Sequence, residues 1–403
     1  MKFLHLSDLH IGKNVNGFPM LDEQRHVFEQ IIGRIKTERP EAVVIAGDVY
    51  DRAVPGVDAV RVFDDFLTEL AKTDAAVLLI SGNHDSPERL NYASRLLSDK
   101  KIFMCGTFDG TLRKVILTDE YGEVNFWLLP FIKPSYVRGM FGKYEIEIDG
   151  YGDALKAAVK TADIDYNNRN VIVSHQFFIK AEVTPVRSES ELNPVGGLDA
   201  VDCALLENFD YAALGHLHGT QKVGAENIRY AGSPVKYSFS EWKQEKSFML
   251  VELKEKGNLA VTAVPLKSLH DMREIKGKLE ALMGDEISSL ADKEDYLRVI
   301  LTDEDEIIDP MGKIRSVYPN VMTLEFENSR TGIDISEITS KSKHSENSEQ
   351  FELQRLMPCD LFSEFFLDVN GSVMSAEQAE IVRDILDSVT ETEITETGGN
   401  QRI

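Results

Sequence analysis

Five short polar clusters, each set directly behind a run of apolar and β-branched residues, constrain the fold of this chain more than any other feature. They are Asp8-Leu9-His10, Gly47-Asp48-Val49-Tyr50-Asp51, Gly82-Asn83-His84-Asp85, Ser174-His175-Gln176 and Gly215-His216-Leu217-His218. The runs before them, at 2–6, 42–46, 75–80, 171–173 and 211–214, read as buried strands, with a further strand at 124–129. Between the first two strands Val27, Ile31, Ile32 and Ile35 recur at helical spacing, with charge on the opposite face, until Pro40 stops the pattern. Val60, Phe63, Phe66, Leu67 and Leu70 make the next crossover. Strands alternating with helices predict an α/β fold, in which sites form beyond the carboxyl ends of the strands. Topology thus directs all five clusters toward one crevice.

From residue 211 onward strands dominate, at 211–214, 228–231, 248–253 and 259–264, so two sheets packed face to face with helices outside are expected. Around residues 265–273 the pattern resets to a small α+β unit at 271–328. A polar linker follows at 329–350. Two amphipathic helices come next, at 351–389, with Leu361, Phe362, Phe365, Phe366 and Leu367 crowded together, and a tail at 390–403 reads as disordered. The formal charge is −24, which argues against gripping nucleic acid or anionic membrane by bulk charge. The distribution of that charge weakens the objection. Residues 1–270 carry a net −7 and residues 271–403 a net −17, so phosphate can approach the first part, especially beside bound cations. Three widely spaced cysteines, Cys105, Cys203 and Cys359, show no disulfide rhythm and read as buried or neutral thiols. No signal peptide and no membrane span is legible, so a cytoplasmic protein is expected.

Five of the nine histidines, His10, His84, His175, His216 and His218, lie in the clusters beside Asp8, Asp48 and Asn83. Imidazole, carboxylate and amide oxygen without thiolate suit Mn²⁺, Fe²⁺ or Zn²⁺. So many candidate donors exceed the need of one ion. Two ions sharing a bridging carboxylate, about 3.5–4 Å apart, would polarise a phosphoryl group and generate hydroxide near neutral pH. Singly, each cluster has a plainer reading: Asp8 as a helix cap, Asp48 as a loop start, Asn83 in an Asx turn, His175 as a core histidine. Gly215-His216-Leu217-His218 places both imidazoles on one side of an extended segment. All five together, in order and at strand ends, favour the metal reading.

This series resembles the calcineurin-like metallophosphoesterase superfamily, and within it the SbcD-type nuclease branch. The resemblance is carried by FLHLSDLHIGK at 3–13, VVIAGDVYDR at 43–52, ISGNHDSPERL at 80–90, VSHQF at 173–177, LGHLHG at 214–219 and YAGSPVKYSFSE at 230–241. It implies a four-layer α/β/β/α sandwich over 1–270, a small α+β capping domain over 271–328, and C-terminal helices at 351–389 that dock on a partner ATPase. It also implies two divalent ions, usually Mn²⁺. Asp8, His10, Asp48 and His218 would surround one ion, and Asp48, Asn83, His175 and His216 the other. His84 would face the scissile phosphate, and Asp85 would hold the His84 ring or the turn. Asp51 either orients a ligand or satisfies its loop.

The activity implied is DNA phosphodiester hydrolysis: 3′→5′ double-strand exonuclease and single-strand endonuclease action on hairpins and blocked ends, in repair, recombination and replication. The implied partners are an SbcC-type ATPase, DNA and a second nuclease subunit, in a nucleoid-associated cytoplasmic heterotetramer. Lys13, Arg52, Arg89, Arg95 and Arg187 are candidate phosphate contacts, and residues 182–197 form a loop long enough to border the cleft. Two other readings remain at this stage: a phosphomonoesterase or small-nucleotide phosphodiesterase of the same superfamily, and a catalytically silent scaffold. Activity is expected to fall as the pH drops through about 6, because ligand histidines must be neutral.

Overall fold

The computed structural model describes residues 1–141, 148–180 and 200–328, with Pro185, Arg187, Ser188, Glu191 and a few positions between 362 and 382. The chain divides into two compact units, Met1–Arg273 and Glu274–Ile403. In the first, buried apolar runs become strands β1 (Lys2–Leu6), β2 (Ala42–Ala46), β3 (Ala76–Ile80) and β4 (Ile102–Cys105), all parallel. The second sheet draws on β5 (Arg113–Asp119), β6 (Gly122–Leu129), β7 (Arg169–His175), β8 (Tyr211–Gly215), β9 (Gln221–Val223) and β10 (Ala225–Tyr230), in the order β9-β10-β8-β7-β6-β5. Strands β11 (Ser247–Leu253) and β12 (Leu259–Pro265) return antiparallel to complete the first sheet as β12-β11-β1-β2-β3-β4.

The alternation of side chains along each strand builds two faces. Phe3, Val44 and Leu78 of the first sheet meet Phe126, Val173, Tyr211 and Ala213 of the second in a shared core. Phe3 sets the spacing, with its ring edge-on to Phe126 at 5.5 Å and to Tyr211 at 5.8 Å. The outer face of the second sheet, with Trp127, Ile172 and Leu214, packs on Leu155 and Ala158 of helix Tyr151–Lys160. Helices α1 (Leu21–Glu38) and α2 (Val57–Ala71) lie against each other, Phe28 stacked on Phe66 at 4.4 Å. The result is the expected four-layer α/β/β/α sandwich.

Of the strands in the two large sheets, three escape the sequence reading: β4, β5 and β9. All three are edge strands. An edge has one solvated side, so its residues need not form a continuous apolar run, as the half-exposed pattern of β5 shows. The second crossover helix also differs. Val60 is 45% exposed, and Ala59 and Val62 take its place on the buried face with Phe63, Phe66 and Leu70.

The second unit holds a three-stranded sheet of Met272–Gly277, Tyr296–Leu301 and Val321–Phe326 in that order, the first strand beginning at the junction. Leu282, Leu297, Val299, Ile314, Tyr318 and Val321 form its core. The linker at 329–350, the tail at 390–403, Cys359 and most of the loop at 182–197 lie outside the described residues. So does most of 351–389, where Phe362 and Phe366 are described, both in helical conformation. Cys105 and Cys203 are buried free thiols. Among the described residues no helix is long and apolar enough to cross a membrane.

Candidate metal centre

The loop after β1 and the loop after β2 are laced together by their backbones: Asp8 N–H donates to Gly47 O at 3.1 Å and His10 N–H to Asp48 O at 2.9 Å. This lacing requires unusual backbone conformations. Asp8, His10 and Asp48 have φ of 52°, 43° and 49°, and His216 has 112°. Left-handed backbone at non-glycine residues costs about 1–3 kcal/mol each and persists only where surroundings enforce it. Its concentration at these four positions marks a site. The approach is also close: a Cβ on Gly82 would sit 2.1 Å from Asp48 Oδ1, and one on Gly215 would sit 2.0 Å from Ala46 O. Glycine alone fits at both.

All the sequence-derived candidates except Asp85 converge around the Asp48 carboxylate. Asp48 Oδ1 accepts from His84 N–H at 2.9 Å. Its Oδ2 faces His175 Nε2 at 3.3 Å and His10 Nε2 at 3.5 Å. On one side His10 Nε2 lies 3.1 Å from His218 Nε2, with Asp8 within the same cluster. On the other, Asn83 Oδ1 lies 3.0 Å from both His175 Nε2 and His216 Nδ1. Asp8 accepts the His216 N–H at 3.0 Å, which ties β1 to β8. Asp85 is spent on main chain, accepting from Gly82, Tyr50 and Val49 at 2.9, 2.9 and 3.1 Å, so it holds the turn. The His84 ring is held by another group, its Nδ1 donating to the Asp51 carbonyl at 2.9 Å.

The donor chemistry calls for a positive charge in the middle. His175 Nδ1 lies 2.7 Å from Ala46 O, so that nitrogen carries the proton, and a neutral ring presents a lone pair toward Asn83 Oδ1 and Asp48 Oδ2. His218 Nδ1 faces the Glu241 carboxylate at 3.2 Å, which likewise leaves its Nε2 lone pair directed at His10. At His175, therefore, acceptor faces acceptor. His10 Nδ1 and His216 Nε2 are buried without a hydrogen-bond partner. Without a metal, protons take up the imbalance. Burial would lower His175, but Asp48 and Asp8 raise it to about 9. Burial pushes Asp8 up to about 7, with Asp48 adding to the rise. Burial would raise Asp48 too, yet His175, His10 and His84 hold it well below the usual carboxylate range. Burial keeps His10 and His218 below the usual histidine value and His216 down at about 3. Neutral imidazoles beside carboxylates and an amide oxygen fit divalent metal.

The layer behind the cluster is absent from the sequence reading. Glu241 pairs with buried Lys246 at 2.7 Å and accepts from Ser188 Oγ at 2.6 Å, while Lys246 donates to His218 O at 2.9 Å. Gln24 donates to His10 O at 2.8 Å and to Tyr237 Oη at 2.9 Å, and it accepts from Gly12 N at 3.1 Å. Glu241 lies in the segment 230–241, whose Tyr-Ser-Phe-Ser-Glu run is a usable signal. Gln24 falls on the apolar face of α1, seven residues before Ile31 and eleven before Ile35, so helical spacing is a usable signal for its burial. Of the candidate basic residues, Lys13 pairs with Asp51 at 2.8 Å, and the Arg187 guanidinium lies 3.5 Å over Phe177, a ring 6.2 Å from His216. Arg52 is 80% exposed, with its Nε 3.6 Å from Asp51.

Residues 1–219, which contain every residue of the cluster, match the family model described as calcineurin-like phosphoesterase. The chain belongs to that family. Membership makes it a hydrolase of phosphoesters working with divalent metal. Residues 268–370 match a second model, described as the type 5 capsule protein repressor C-terminal domain. Over its whole length the chain is similar to two proteins named as the SbcD component of the nuclease SbcCD. The one from Staphylococcus epidermidis is 29% identical over 98% of this chain and 100% of its own. The one from Staphylococcus saprophyticus is 29% identical over 97% and 99%. Among solved structures, a dimetal phosphatase from Danio rerio is similar over 67% of this chain and 98% of its own, at 12% identity and a TM-score of 0.38.

Proposed function

We propose that the chain is a dimetal nuclease that hydrolyses DNA phosphodiesters in the crevice beyond β1, β2, β3, β7 and β8. Asp8, His10, Asp48 and His218 hold one ion and Asp48, Asn83, His175 and His216 the other, with Mn²⁺ as the working metal. The observation that carries this is the position of Asp48: its Oδ2 lies 3.5 Å from a histidine of one group and 3.3 Å from a histidine of the other. When bound, such a pair of ions withdraws charge from a phosphodiester and lowers the pKa of water. His84 completes the chemistry. Its Nδ1 is committed to the Asp51 carbonyl, so Nε2 is the nitrogen left to face the phosphate, and it donates to the leaving oxygen as the imidazolium, which carries a proton on both nitrogens.

The names of the two staphylococcal relatives support a nuclease component that works with an SbcC-type ATPase. In that setting the chain is a 3′→5′ double-strand exonuclease and a single-strand endonuclease that opens hairpins and blocked ends. Self-association is part of the reading. Val60 and Tyr92, 45% and 82% exposed, line one cavity of about 330 Å³ with Pro55, Ala93 and Leu97, and the self-association surface is placed there. Tyr92→Asp is expected to shift a sedimenting dimer to monomer, and an unchanged dimer would remove this patch from the reading.

Mn²⁺-dependent digestion of end-labelled duplex and hairpin DNA, beside a phosphomonoester dye, tests the function. His84→Gln should lower DNA cleavage by about 10²–10⁴-fold while the bound metal stays unchanged. Hydrolysis of the dye with no DNA cleavage by the wild type would reject the nuclease reading.

A further inference from the structure

Beside Asn83 lies a cavity of about 510 Å³ that the metal chemistry does not use. Its size falls within the roughly 300–1,000 Å³ range of sites that hold small organic groups. Its lining is mixed: Phe108 and Ile132 are buried, Phe131 is half-buried and Tyr136 exposed, and among the polar residues Asp85 is spent on main chain while the Glu88 carboxylate is exposed. Phe131 is fixed in place: its N–H donates to Ser81 O at 3.0 Å, and its ring stands edge-on to that of His175 at 6.5 Å and tilted to Tyr151 at 6.2 Å. It therefore connects the cavity to the second group of metal candidates. Tyr136 is 52% exposed, on the first turn of helix Pro134–Phe141, where its N–H bonds the carbonyl of Lys133, another lining residue and an exposed cation.

We propose that this cavity receives an unpaired nucleobase of the strand being cut, stacked on Phe131 and Tyr136, with Lys133 meeting the adjoining backbone phosphate. Aromatic faces bind any base through its π surface, so the pocket would take a base without selecting its sequence. A base enters such a pocket only after leaving its helical stack, and the cost is least where it is already single-stranded. The pocket thus favours frayed ends and hairpin loops over intact duplex. This inference rests on the nuclease reading and names the part of the substrate that the site grips.

Calorimetry with Mn²⁺ present, using thymidine 5′-monophosphate and 2-deoxyribose 5-phosphate as probes, separates the base from the phosphate. The wild type should bind the nucleotide about 5- to 150-fold more tightly, the range of a single base–aromatic stack. In Tyr136→Ala and in Phe131→Leu the ratio of the two affinities should fall toward one, and taking a ratio cancels any general change in the metal centre. A ratio near one in the wild type, or an undiminished ratio in both variants, would overturn the proposal. A protein that keeps the ratio but cuts no DNA would uphold the pocket and reject the nuclease reading, so the two failures are distinguishable.

Discussion

Behind the imidazole of His218, which faces His10, lies a carboxylate, whereas behind that of His175, which faces His216 across Asn83, lies a strand carbonyl. His218 leans on the Glu241 carboxylate, itself paired with a lysine buried as deeply as the core. His175 leans on the Ala46 carbonyl at the end of β2, and the N–H of His216 is fixed by Asp8. A carboxylate behind a ligand histidine raises its basicity and can be removed by a single substitution. A strand carbonyl is part of the sheet ladder and cannot be removed without unfolding. The ionic side is therefore the one that mutation and solvent can tune, and the backbone side is as rigid as the fold.

The largest effect should come where the two sides meet. Asp48→Asn removes the one charge both groups share, and metal content should fall to a trace, with DNA cleavage lower by at least about 10³-fold, the scale of losing a charge-stabilising group. Elemental analysis of the purified variant checks this, and full metal content would break the comparison at its centre. Glu241→Gln should act on one side alone. The ion nearer His10 and His218 should bind about 10–100-fold more weakly while the other is retained, so titration with Mn²⁺ should resolve two unequal sites. Equal weakening of both would mean the sides are not independent.

The smallest effect concerns protons. In the metal-free protein His175 is raised to about 9, above its unfolded value near 6.5. Its contribution to stability is complete below about 6.5 and is lost as the pH rises through about 9. Asp8, raised to about 7, adds a loss in the same direction, over about pH 4 to 7. The lowered histidines, His5, His10, His216 and His218, act oppositely and only below about 6.5. The melting temperature of stripped protein should therefore decline between about pH 7 and 9, and Mn²⁺ should flatten that decline by taking the place of the proton. A melting temperature that rises over this window would contradict the assignment. Burial lowers His10, His216 and His218, so these imidazoles resist protonation more than free histidine does. Proton competition for metal should instead appear at Asp8 and His175.

The strand ends and their polar clusters are legible in the sequence because a buried strand must be continuously apolar, and a break into Asp, Asn and His at its end stands out. The supporting layer is not legible for the converse reason. Glu23 and Gln24 of α1 are 1% and 0% exposed, yet as polar residues they drop out of a pattern built on apolar ones, although Gln24 is in register with Val27, Phe28, Ile31 and Ile35. Their burial depends on acceptors and donors that come from far along the chain: Leu269 and His270 for Glu23, and Tyr237 for Gln24. Lys246 and Glu241 pose the same problem, since a buried ion pair is written in the same letters as an exposed one. Edge strands β4, β5 and β9 escape the pattern because solvent on one side permits polar residues. Periodicity reports burial only where the environment is one-sided and regular.

The most direct test of the whole account is anomalous diffraction from crystals soaked in Mn²⁺. Two peaks should appear about 3.5–4 Å apart. One should be bounded by Asp8, His10 and His218, the other by Asn83, His175 and His216, with the Asp48 carboxylate between them. A single peak, or manganese bound only elsewhere on the protein, would contradict it.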